Sequence, residues 1–97
     1  MPIEDYKDQI ISIIKKYVPE CKVYLFGSRA KGSHYEGSDI DLAIESDSKI
    51  KILIISRIKS EINEESNIPF FVDIVDIKSA DANIMSQINK DKISWNN

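Results

Sequence analysis

With 97 residues, 42% apolar and 30% charged, the chain has the make-up of one globular domain spanning 1–97. A net charge of −3 argues against a standing nucleic-acid patch or membrane-binding surface, both of which need clustered Lys and Arg. A single cysteine, Cys21, excludes an intramolecular disulfide or zinc knuckle.

From Ile3 to Tyr17 the apolar residues Ile3, Tyr6, Ile10, Ile13, Ile14 and Tyr17 recur at threes and fours, the pattern of an amphipathic helix. Pro2 suits its first turn and Pro19 stops it. "CKVYLF" (21–26) is a predicted strand, with Cys21 a small half-buried thiol beside it. All three glycines, Gly27, Gly32 and Gly37, then fall within eleven residues. After this loop comes "SDIDLAIE", in which Ile40, Leu42 and Ile44 alternate with Asp39, Asp41 and Ala43. Period two predicts a strand with one apolar face and one face carrying two carboxylates.

"SDSKIKILIISRIKSEINEESN" (46–67) predicts a second long helix, capped from Ser46, Asp47 or Ser48 and buried along Ile50, Leu53, Ile54, Ile58 and Ile62. "PFFVDIVDI" (69–77) reads as a strand covered on both faces. "SADANIMSQINK" (79–90) starts with a capping residue, Ser79, and predicts a helix with Ile84 and Ile88 inward, and "ISWNN" is a short strand or a frayed end. The order α-β-α-β-α, with a final β if the tail is a strand, predicts an α+β fold: a small mixed β-sheet covered by helices. No apolar stretch nears the ~20 residues of a membrane span, and the acidic start lacks a signal-peptide layout. A cytoplasmic protein is expected.

The chemistry lies in the glycine loop and the two carboxylates after it. Asp39 and Asp41 repel each other on one strand face, and a divalent cation converts that repulsion into coordination. Mg²⁺ is commonly held by one or two carboxylates plus substrate phosphates. A third acid from the 69–77 strand would allow two ions, which clamp the attacking and leaving oxygens of an in-line displacement at phosphorus. Periodicity leaves open whether that acid is Asp73 or Asp76, which point to opposite faces. Gly27 permits close backbone approach to a ligand, and Ser28 offers a hydroxyl and an N–H. If "SRAKG" opens a short helix, its free N–H groups face bound phosphates. Arg29 reads equally as a phosphate contact or a structural ion pair. There is no GxxxxGK[ST] sequence, so a P-loop enzyme is not expected.

A lone Asp-x-Asp is weak in a chain with nine aspartates; its place on an alternating strand after a glycine loop gives it force. Gly32 and Gly37 read as turn residues, Lys31 as a solvated loop lysine and His34 as an exposed loop side chain.

"GSRAKGSHYEGSDIDLAI" resembles the signature of the minimal nucleotidyltransferases of the DNA polymerase β-like superfamily: Gly-Ser, ten residues, then Asp-x-Asp. Here Gly27 and Ser28 precede Arg29 to Ser38 and then Asp39-Ile40-Asp41, and "FFVDIVDI" is similar to the strand that supplies the third acid. The resemblance implies a polymerase β palm-like fold with the triphosphate at Gly27 and Ser28. It further implies metals at Asp39, Asp41 and Asp73, with Asp73 also helping to deprotonate the acceptor. It implies Mg²⁺ (two ions, with Mn²⁺ an alternative) and ATP as donor. It also implies a small helical HEPN-type partner, toward which such proteins act as antitoxins that adenylylate it. Rival expectations are a non-catalytic module that neutralises its partner, and a catalytic subunit for a small-molecule acceptor. Homo-oligomerisation stays open.

Overall fold

The computed structural model describes residues 2–33 and 37–96. A 3₁₀ turn at Ile3–Tyr6 leads into α1 (Lys7–Tyr17), followed by β1 (Cys21–Phe26), a short α2 (Ser28–Lys31) and β2 (Ile40–Ser46). Next come α3 (Ile52–Ser60), continued by a π-helical turn at Glu61–Glu65, and β3 (Val72–Asp76). A 3₁₀ turn at Ile77–Ser79, α4 (Ala82–Asp91) and β4 (Ile93–Ser94) complete the chain. The strands form one mixed sheet ordered β3-β2-β1-β4, with β2 and β3 parallel and the other neighbours antiparallel. This is the expected α+β architecture with a mixed sheet, although its order, α-β-α-β-α-β-α-β, is longer than the expected α-β-α-β-α-β.

Alternation decides the faces. Val23 and Leu25 of β1, Ile40, Leu42 and Ile44 of β2, and Val72 and Ile74 of β3 join one core cluster. Ile10 and Ile14 of α1 and Ile58 and Ile62 from α3 and its π turn complete it. These four isoleucines are fully buried and each contributes about 1.5–3 kcal/mol through removal from water. The opposite face is covered only in part: Ile88, Ile84 and Met85 of α4 pack on Tyr24, Phe26, Ala43 and Val75.

Both sheet edges are tied off. Asn63 donates its side-chain amide to the Val72 carbonyl (2.8 Å) and accepts from the Val72 N–H (2.9 Å), standing in for a neighbouring strand. The tail forms β4, buries Trp95 and places Asn96 Oδ1 2.6 Å from the Val23 N–H.

Three sequence expectations shift. The helix expected from Ser46 begins at Ile52, because Ser46 still belongs to β2 and the Ile50 N–H is held by Asp76 Oδ2 (2.8 Å). That phase leaves Ile52 and Leu53 78% exposed, so Leu53 leaves the predicted buried stripe while Ile58 and Ile62 stay in it. The apolar run 69–77 forms an edge strand rather than one covered on both faces: Val72 and Ile74 are buried, whereas Phe71, just before it, is 52% exposed. The cap of α4 is Asp81, which accepts from the Ile84 N–H (2.9 Å), while Ser79 donates to Asp76.

Candidate active site

The partly uncovered face carries the acids. In register, Phe26 of β1 lies opposite Asp41 of β2, and Asp41 opposite Asp73 of β3. The next row, Tyr24, Ala43 and Val75, is the one α4 packs against. Asp41 and Asp73 therefore sit side by side on one sheet face, at the margin of the α4 cover that reaches Phe26. Asp39 precedes β2 and is exposed.

Their proximity shows in the electrostatics. The Asp41 carboxyl is pushed above its ordinary range, first by burial, then by the charges of Asp73 and Asp39. Among the described residues neither Asp39 nor Asp41 has a hydrogen-bond donor or cation as partner. Asp73 does: its Oδ1 accepts from the Ile74 N–H (3.0 Å) and lies 3.1 Å from Lys59 Nζ.

Asp76 serves a different purpose. It lies on the α1/α3 side of the sheet, is 4% exposed, and accepts from Ile50 N–H, Lys78 N–H (3.1 Å) and the Ser79 hydroxyl (2.9 Å). A carboxylate so enclosed ties the start of α3 to the end of β3 and points away from Asp41.

The turn after β1 is built around Gly27, with φ 76° and ψ −157°, a combination open essentially to glycine alone. A Cβ at this position would stand 2.6 Å from Asp41 Oδ2, so the Asp41 carboxylate rests directly on the Gly27 backbone. The N–H groups of Ala30 and Lys31 both bond the Gly27 carbonyl (3.1 Å each). Ser28 and Arg29 occupy the first helical positions, whose N–H groups have no intrahelical acceptor. Gly32 and Gly37 also have positive φ, with open space around them, as turn residues require.

Arg29 is drawn elsewhere. Its Nε and Nη2 donate to the Ser38 carbonyl (2.9 and 2.8 Å), and its guanidinium lies 4.9 Å over the Phe70 ring. These partners are a backbone carbonyl and an aromatic ring, not the acidic side chain of an ion pair, and through them Arg29 fixes the backbone one residue before Asp39. Lys31 lies 3.6 Å from Asp91 instead of being merely solvated. His34 lies outside the described residues.

Two larger concavities lie away from the acid row. One of about 600 Å³ is lined by Lys49, Ile50, Ile52 and Ile55, another of about 520 Å³ by Glu20, Lys22, Glu45 and Asp47. Sequence reasoning missed Lys59, Ser38 and Asn63, whose contacts join residues separated in sequence and carry no motif.

The donor set is of hard carboxylate oxygens, the chemistry Mg²⁺ and Mn²⁺ prefer, and burial, then the charges of Asp73 and Asp39, raise the Asp41 carboxyl. Yet no group of three acidic, His or Cys side chains among the described residues is already gathered for one ion. The residues fit a divalent cation in charge and chemistry, with Asp73 still turned to Lys59.

Residues 8–94 match the family described as "Polymerase beta, Nucleotidyltransferase". Over 76 residues the chain is 40% identical to the "Probable protein adenylyltransferase MntA" of Haemophilus influenzae, covering 74% of this chain and 66% of the relative. Over 87 residues it is 26% identical to the protein adenylyltransferase MntA of Shewanella oneidensis, covering 84% and 58%. The chain thus spans less than two thirds of the length of these curated relatives. The fold matches a solved toxin–antitoxin structure with AMP-PNP (TM-score 0.78, 23% identity, 92% of this chain and 71% of that one). It also matches a complex of tri-AMPylated Shewanella oneidensis HEPN toxin with MNT antitoxin (TM-score 0.76, 20% identity, 97% and 71%). No helix among the described residues is long and apolar enough to cross a membrane. Matching the family model along almost its whole length, the chain belongs to the polymerase β-type nucleotidyltransferases.

Proposed function

We propose that this chain transfers AMP from ATP to a hydroxyl on a partner protein, as the antitoxin-side member of a HEPN/MNT pair. The observation that carries the reading is the packing of the Gly27–Ser28 turn directly on Asp41, in one row with Asp73. The names of the relatives, protein adenylyltransferases and HEPN–MNT complexes, support the choice of AMP and of a protein acceptor.

In this reading the triphosphate lies along the turn, with the Ser28 hydroxyl and the N–H groups of Ser28 and Arg29 donating to its oxygens. Asp39, Asp41 and Asp73 would hold Mg²⁺ or Mn²⁺, which supplies charge neutralisation at the attacking and leaving oxygens. Arg29 keeps the Asp39 backbone in place through Ser38 and Phe70. Asp73 takes the proton of the acceptor hydroxyl. The acceptor oxygen then forms its bond to the α-phosphorus while the bond from that phosphorus to the β-phosphate bridging oxygen breaks, releasing pyrophosphate. Most of the acceleration comes from positioning and charge, since little covalent work falls to the protein.

The test is to incubate the chain with Mg²⁺, ATP labelled at the α-phosphate, and a HEPN protein of the kind its structural relative is solved with. Label on the partner, lost in D39N and D41N, is the expected result. Transfer that persists in both variants, or label that follows the γ-phosphate instead, overturns the reading.

A further inference from the structure

Lys59 has no part in the chemistry above, yet among the described residues it is the cation in direct contact with the acid row. It projects from α3, the helix on the opposite side of the sheet, and reaches past the edge strand β3 to place Nζ 3.1 Å from Asp73 Oδ1. The same oxygen accepts from the Ile74 N–H (3.0 Å), so one side of the carboxylate is fully engaged. Asp39 and Asp41, by contrast, have no such partner among the described residues, and the three acids do not gather into a ready-made ion site. A lysine ammonium and a divalent cation compete for the same oxygen.

Resting on the metal-dependent reading above, we propose that Lys59 is a resident counter-ion that a divalent metal displaces from Asp73, and that it thereby sets the metal affinity of the site. Without metal, Lys59 offsets part of the repulsion among the three acids. When metal enters, the ammonium is released to water, which its partly exposed position allows at small cost. A surface-exposed pair of this kind is worth a few-fold in an equilibrium, so its loss is measurable without unfolding the protein.

The experiment measures Mn²⁺ affinity of the full chain from the electron paramagnetic resonance signal of free Mn²⁺, for wild type, K59Q, K59R and D41N. K59Q is expected to bind Mn²⁺ roughly two- to five-fold more tightly, and K59R close to wild type. The gain should shrink as salt is raised, because the pair is exposed and screened. In chelator, K59Q should melt below wild type and show the larger rise in melting temperature on adding Mn²⁺. Unchanged or weaker affinity in K59Q, while D41N abolishes binding, overturns the role of Lys59 and leaves the metal site standing. Undiminished binding in D41N overturns the metal site and the role of Lys59 with it.

Discussion

Gly27→Ala isolates the contact on which the site is built. Alanine at φ 76° and ψ −157° costs about 1–3 kcal/mol in backbone strain alone. Its Cβ would also stand 2.6 Å from Asp41 Oδ2, and forcing that carboxylate aside adds about 1–3 kcal/mol, as overpacking does. Together these make about 2–6 kcal/mol, a large share of the ~5–15 kcal/mol that stabilises a domain of this size. The melting temperature should fall by at least about 8 °C, given ~4–8 °C per kcal/mol for a small domain. The two contributions separate in a double-mutant cycle with Asp41→Ala, followed by urea denaturation. Without the carboxylate only the backbone term remains, so the cost of G27A should drop by about 1 kcal/mol or more. A G27A protein within about 0.5 kcal/mol of wild type, or an equal cost in both backgrounds, would refute the packing of the turn on Asp41.

The raised carboxyl of Asp41 fixes the sign of a pH effect. Its stabilising contribution is complete below the ordinary carboxylate value of 3.8 and is lost as pH rises through the raised value. In chelator, D41N should therefore gain stability relative to wild type as pH climbs from that region to neutrality; thermal melts across pH check this, and a gain that shrinks on climbing contradicts it. Added Mg²⁺ should stabilise wild type and not D41N, which calorimetry in the two conditions reads directly. Asp76→Ala removes the acceptor of three donors in a buried position and should cost about 2–4 kcal/mol in urea denaturation. Its residual folded protein should still bind Mn²⁺, so loss of Mn²⁺ from folded D76A would place Asp76 in the site. Arg29→Lys gives up the paired bonds to Ser38 and the stacking on Phe70. A loss of about 1–2 kcal/mol is expected, and a thermally silent R29K would show that the clamp is idle.

The alternation in 38–45 was enough to place Asp39 and Asp41 opposite a buried isoleucine–leucine face, because period two is a local property of a strand. The glycine cluster likewise announced a turn, and the left-handed φ of Gly27, Gly32 and Gly37 is what glycine supplies without steric cost. Choosing between Asp73 and Asp76 needed the register of β3 on β2 and the covering of each face, which depend on how α3 returns the chain. The onset of α3 was misjudged for a similar reason: Ser46 and Ser48 look like caps in isolation, but pairing of Ser46 with Cys21 extends the strand and Asp76 holds Ile50. Arg29, Lys59 and Asn63 act through partners 9, 14 and 9 positions away in sequence. Such side-chain reach leaves no periodic trace.

Nuclear magnetic resonance of the labelled chain with substoichiometric Mn²⁺ and ATP would locate the bound ion through paramagnetic broadening of nearby amides. Broadening centred on Gly27, Ser28, Asp41 and Asp73, and abolished in D39N and D41N, is the expected result. Broadening centred instead on the acidic concavity of Glu20, Glu45 and Asp47, with the Gly27–Ser28 amides unchanged, would contradict a metal–triphosphate site on the acid row.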